Sequence, residues 1–185
     1  MSVGLIAIVA VAVLLLFVLL RTYNRLVSMR NNARSAWSDI DVQFTRRHDL
    51  VPNLVESVKG YMGHERQALE AVTQARSAAM QAGADIATRA VAEMALGGAI
   101  GNLFAVVERS PQLKASQNFL LLQEQLTSTE NRIAFARQHY NETVRQLNTA
   151  IAEFPRNLVA GAFGFNPQSL FAAEAGDRAN VQVKV

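Results

Sequence analysis

A chain of 185 residues with a formal charge of +3, half of it hydrophobic, has room for one buried core. With no cysteine, disulfides, thiol catalysis and thiolate zinc sites are excluded. The charge is mild and no basic patch interleaves with aromatics, so nucleic acid is not an expected partner.

The chain begins in apolar material. "VGLIAIVAVAVLLLFVLL", Val3 to Leu20, is eighteen uncharged residues, enough to cross a hydrocarbon layer at about 1.5 Å per residue. A cleaved signal peptide needs a basic stretch before the apolar run and small residues after it. Here only Met1 and Ser2 precede the run, and the bulky, basic "RTYNRLVSMR" follows. An uncleaved anchor over 1–22, with the lipid bilayer as partner, is therefore expected. Arg21, Arg25, Arg30 and Arg34 follow with no acid before Asp39. The positive-inside rule then puts the N-terminus outside and the bulk of the chain in the cytoplasm, with these arginines against anionic headgroups.

Periodicity predicts the first helix after the anchor over 23–48. Leu26, Ala33, Ile40 and Arg47 repeat every seven, with Trp37 and Phe44 on the same face, and neither Gly nor Pro separates this helix from the anchor. It leads into "RRHDLVPNLVE", which reads as a helix–helix junction. Arg46, Arg47 and His48 complement the dipole in a last turn, Asp49 is an N-cap, and Pro52 falls in a first turn where its missing N–H is harmless. One helix kinked at the proline is the alternative. A catalytic cluster is the reading set aside.

The second helix is predicted over 50–82, with Val51, Leu54, Val58, Tyr61/Met62, Leu69, Val72 and Ala75 on one stripe. Gly83 stops it, Asp85 caps a third helix over 86–108, and Ser110-Pro111 ends that one. In the fourth, Phe119, Leu126, Ile133, Tyr140, Leu147 and Phe154 recur every seven, with Leu122, Thr129, Ala136, Thr143 and Ala150 as companions. Pro155 closes it. Tyr140 is expected buried with its hydroxyl bonded. Glu130 and Arg137, flanking the seam, are expected to pair with Asp39, Asp41, Arg46 or Arg47.

The fold class expected is all-α: a transmembrane helix, an up-down-up-down four-helix bundle over 23–155, and a short helix with a strand-like tail over 156–185. Trp37 and Phe44 join the aromatic and aliphatic sevens as the bundle seam. The third helix has little polar face around Gly97 and Gly101, and the C-terminal segment carries Phe163, Phe165 and Phe171 before the alternating Val181, Val183 and Val185. All eight are candidate oligomer contacts, since apolar surface of this extent asks for a cover and a lone strand asks for an edge.

Two long stretches, "YNRLVSMRNNARSAWSDIDVQFTRRHDLVPNLVESVKGYMGHE" and "QNFLLLQEQLTSTENRIAFARQHYNETVRQLNTAIAEFPRNLVA", with the trailing "FGF" and "LF", resemble the LemA family. The resemblance implies a long-helix bundle fixed to the bacterial inner membrane, with no established catalytic activity. No catalytic, cofactor or metal residues are assigned. His64 lacks the second histidine four residues on that a zinc helix needs, and His48 and His139 have no carboxylate at ligand spacing on their face. The functional expectation is a non-catalytic, membrane-anchored scaffold that forms a homo-oligomer. The alternative is a monomeric tethered adaptor or signalling component for a protein partner.

Overall fold

The computed structural model describes residues 3–60, 66–83, 85–114 and 116–171, and among these it is 88% helix with no strand. In chain order the elements are α1 (Val3–Lys59), α2 (Arg66–Gln81), α3 (Ile86–Val107), α4 (Pro111–Lys114), α5 (Gln117–Ala152) and α6 (Arg156–Ala162). Tyr61, Met62, His64, Val181, Val183 and Val185 lie outside the described residues, and with them the strand-like tail.

α1 is a single helix of 57 residues that carries Pro52 inside it. The expected junction at Arg46–Pro52 is thus replaced by the continuous alternative. Proline in a helix interior removes the donor that would serve the carbonyl four residues back, here that of His48. Arg76 of α2 supplies the missing partner: its Nε donates to the His48 carbonyl at 2.8 Å. The buried positions also carry on through the proline, with Phe44, Val51 and Val58 seven apart and Leu54 seven beyond Arg47. Asp49, expected as an N-cap, is an exposed residue in the middle of the helix.

The chain divides into two compact units. One contains α1 up to Ser38 and His139–Leu170; the other contains Asp39–Gln138 and Phe171. α2 and α3 have 16 and 22 residues against 57 and 36 for α1 and α5, so the two long helices contribute to both units and the short ones to one.

In the first unit, every residue from Val3 to Leu20 is exposed. Beyond them Leu26 is buried with Ala150, Ala160 and Phe165, and Tyr23, Val27 and Ile151 pack around that cluster. Trp37, half-buried, meets the Tyr140 ring edge-on at 5.5 Å. Tyr140 is fully buried and its hydroxyl donates to the Ser169 carbonyl at 2.8 Å; burial pushes the phenol up, so it stays a donor. Asn148 grips Gln168 twice, through its amide donating to the Gln168 carbonyl and its oxygen accepting from the Gln168 N–H, both at 2.9 Å. The C-terminal segment therefore folds back on its own chain. Phe165, read from sequence as an oligomer contact, is buried here. Phe154 is a second correction: α5 ends at Ala152, so the seven-residue repeat overshoots the helix and leaves this ring 79% exposed beside Pro155.

In the second unit one apolar core takes Val51, Leu54 and Val58 from α1, Val72 and Ala79 from α2, four residues of α3, Leu113 of α4, and Phe119 and Leu126 of α5. Between α2 and α3, Gly83 adopts φ 69°, a left-handed stop that costs glycine no Cβ clash. Asp85 then caps α3, its Oδ2 accepting from the Thr88 N–H at 2.8 Å.

Candidate functional site

Within the second unit, three helices bring charged side chains to one buried point. Arg47 sits at a core position of α1, in register with Leu26, Ala33, Ile40 and Leu54, and is 2% exposed. A guanidinium so placed must be met, because an unpaired buried charge is costly. Its Nη2 donates to Glu93 Oε2 at 2.6 Å and to the Glu93 carbonyl at 2.8 Å, while Nη1 donates to Glu130 Oε2 at 2.7 Å. Glu93 is 1% exposed on α3, and Glu130 is half-exposed on α5. His48 Nε2 stands 2.9 Å from Glu93 Oε1. Burial alone would push the Glu93 carboxyl up, but the His48 ring and the Arg47 guanidinium beside it more than offset that and hold it below the ordinary glutamate value.

Gly97, one helical turn beyond Glu93, makes room for this arrangement: a Cβ there would come within 3.3 Å of Arg47 Nη1. Arg47 also lies over the Phe44 ring at 5.4 Å, with Arg89 over the same ring at 5.9 Å. Arg89 in turn pairs with Asp41. Phe44 meets Phe171 at 6.1 Å, and Arg137 stacks over Phe171 at 4.6 Å. Beside these groups lies a cleft of about 420 Å³, lined by Gly97, Gly101, Ile100, Phe104, Leu126 and Glu130 among others.

Of the sequence-predicted residues, the structure joins Arg47 to Glu130 as an interhelical ion pair and sets Arg137 on a ring. The "RRHD" run is split: Arg47 and His48 face inward, whereas Arg46 and Asp49 face solvent. Gly97 and Gly101, read as oligomer contacts, line the cleft. Phe171 is 2% exposed and packed on Phe44, so it too is used within the chain; Phe163 remains 52% exposed. Sequence reasoning missed Glu93. The signal was available, since it is the sole charge between Arg89 and Glu108 in an apolar helix.

Chemically the cluster is an ion-pair network, with Arg47 Nε buried and without a hydrogen-bond partner among the described residues. Glu93 has its charge matched and no proton to lend near neutral pH, and Arg47 has none to give. Among the described residues no group of three or more His, Asp and Glu is arranged to hold a metal ion.

Comparison with known proteins gives relatives of modest identity and broad coverage. Magnetosome protein MamQ of Magnetospirillum gryphiswaldense is 25% identical over 185 residues, covering 86% of this chain and 68% of that protein. Magnetosome protein MamQ 2 of Paramagnetospirillum magneticum is 26% identical with the same coverage. Protein LemA of Metamycoplasma hominis is 26% identical over 165 residues, covering 89% of this chain and 75% of its own length. The model of the LemA family matches residues 36–185, which leaves out the apolar stem and takes in Arg47, Glu93 and Glu130, and the chain belongs to that family.

Proposed function

We propose that the protein is a non-catalytic, membrane-anchored helical bundle that associates with copies of itself into a scaffold on the cytoplasmic face of the bacterial inner membrane. The observation that carries the reading is the stem: eighteen apolar residues, all exposed, continuous with a folded helical body through an unbroken α1. Water does not tolerate such a surface, and a bilayer satisfies it. The arginines that follow favour a cytoplasmic body. The four longer helices meeting in the second unit's core, α1, α2, α3 and α5, suit an up-down-up-down arrangement.

Self-association is supported by apolar side chains left on the outer surface of α5, with Leu120, Leu121 and Phe135 all exposed, and confinement to a plane raises the concentration of copies. Detergent-extracted protein is expected to scatter light as an assembly at micromolar concentration. A clean monomer removes the scaffold. A second reading, a monomeric tethered adaptor, draws support from the open apolar cleft beside Glu130. It predicts that pull-downs return one stoichiometric partner rather than mostly the protein itself.

A further inference from the structure

We infer that the segment from Phe154 to Phe163 is a second membrane contact, a shallow interfacial foot that seats beside the stem and inserts its exposed apolar side chains at the headgroup boundary. The inference rests on the stem being a membrane anchor.

Its geometry lies within the first unit. Between the Leu26–Ala150 cluster and the Trp37–Tyr140 ring pair, α1 advances eleven residues while α5 retreats ten, so the two helices run antiparallel in register. Two residues past Ala150, at about 1.5 Å per residue, α5 ends at Ala152 near the level of Asn24, about one turn from the stem's last apolar residue, Leu20, and Phe154 follows directly. α6 holds that level: Phe163, at its end, meets the Tyr23 ring at 4.9 Å, and Phe165 meets the same ring at 5.8 Å. The segment is thus tied to the point where the stem leaves the bilayer.

At that level Phe154, Leu158 and Phe163 are 79%, 64% and 52% exposed, although Ala160 and Phe165 beside them are buried. Large rings and a leucine turned outward at the depth where hydrocarbon meets water match an interfacial seat. The charges agree. Arg21 and Arg25 are exposed on α1 at the same height, and the acid that adjoins the foot among the described residues, Glu153, is matched by Arg156 at 2.8 Å. The surface presented to lipid is therefore apolar with a basic rim, which suits an anionic bilayer.

Since the chain has no cysteine, single-cysteine variants report one site each. The full chain is placed in nanodiscs of phosphatidylethanolamine and phosphatidylglycerol, one copy per disc, and treated with a membrane-impermeant maleimide. Leu14→Cys is the in-bilayer reference and Phe135→Cys the water reference. Leu158→Cys and Phe163→Cys are expected to lose labelling in discs and regain it in denaturant, while Phe135→Cys labels fully throughout. Full labelling of both foot positions with Leu14→Cys protected overturns the foot and leaves the anchor. Labelling of Leu14→Cys overturns the anchor and the foot together. Protection that appears only when discs hold several copies assigns the patch to a second copy of the chain and also overturns the foot.

Discussion

Arg47 and Glu93 illustrate how one buried charge forces another. α1 and α3 each place a charged residue at a core position, and each residue is the other's fully buried charge partner. Removing one partner of such a pair typically costs about 3–5 kcal/mol, whereas replacing both by apolar groups is often near neutral. Glu93→Ala is therefore expected to lower stability by about that amount in urea melts, and Arg47→Met combined with Glu93→Leu to restore most of it. The same carboxylate gives a pH dependence. Its folded pKa is depressed below the ordinary value of 4.5, so its contribution is fully present above that pH and lost as pH falls through the folded pKa. Stability measured from neutral to acid pH should fall below about 4.5 in the parent. Glu93→Gln, with nothing to titrate there, should show a flatter curve.

α1 shows why Pro52 does not end a helix. A proline carries a penalty of about 3 kcal/mol in a helix interior, from ring sterics and from an unmet carbonyl. Arg76 meets the carbonyl, and the burial of Val51, Leu54 and Val58 supplies the rest of the compensation. The two effects are coupled. Arg76→Ala is expected to cost about 1.5–3 kcal/mol in the parent, because it strands a carbonyl bonded to a charged donor. In a Pro52→Ala background, where the backbone N–H at position 52 can serve His48, the same change should cost clearly less. A double-mutant cycle by denaturant titration measures the difference, and additive effects would contradict the bridging role. The continuity was partly legible: the seven-residue spacing of Phe44, Val51 and Val58 crosses the proline without slipping, and a true junction would have reset it. Local proline chemistry outweighed that longer pattern in the sequence reading because the compensating donor, on α2, lies 28 residues away. At the far end of α5 the error ran the other way, for Phe154 kept the repeat after the helix that gave it meaning had stopped.

For the whole molecule, the division of labour between stem and body has a direct consequence. Residues 3–20 bury nothing in the chain, so the folded body owes them no packing energy. A fragment lacking residues 1–22 is expected to remain strongly helical by circular dichroism and to melt cooperatively. A largely unstructured or sheet-rich fragment would contradict the helical reading. The C-terminal segment is the reverse case. Taken as sequence it looked like surplus apolar surface awaiting a partner, yet Phe165 and Phe171 are consumed by Tyr23 and Phe44, and Asn148 and Tyr140 hold the backbone at Gln168 and Ser169.

By itself the sequence determined the apolar stem, the helical class, the Gly83 stop, the Asp85 cap, the buried Tyr140 and most of the α5 seam. These follow from backbone geometry acting over a few turns, where spacing alone says which side chains share a face. Only the tertiary structure decided that α1 passes through Pro52, that Glu93 completes the Arg47 pair, that Gly97 and Gly101 line a cleft, and which aromatic rings stay outside. Each of those depends on a partner supplied by a distant element, and periodicity along one helix carries no information about which neighbour will face it.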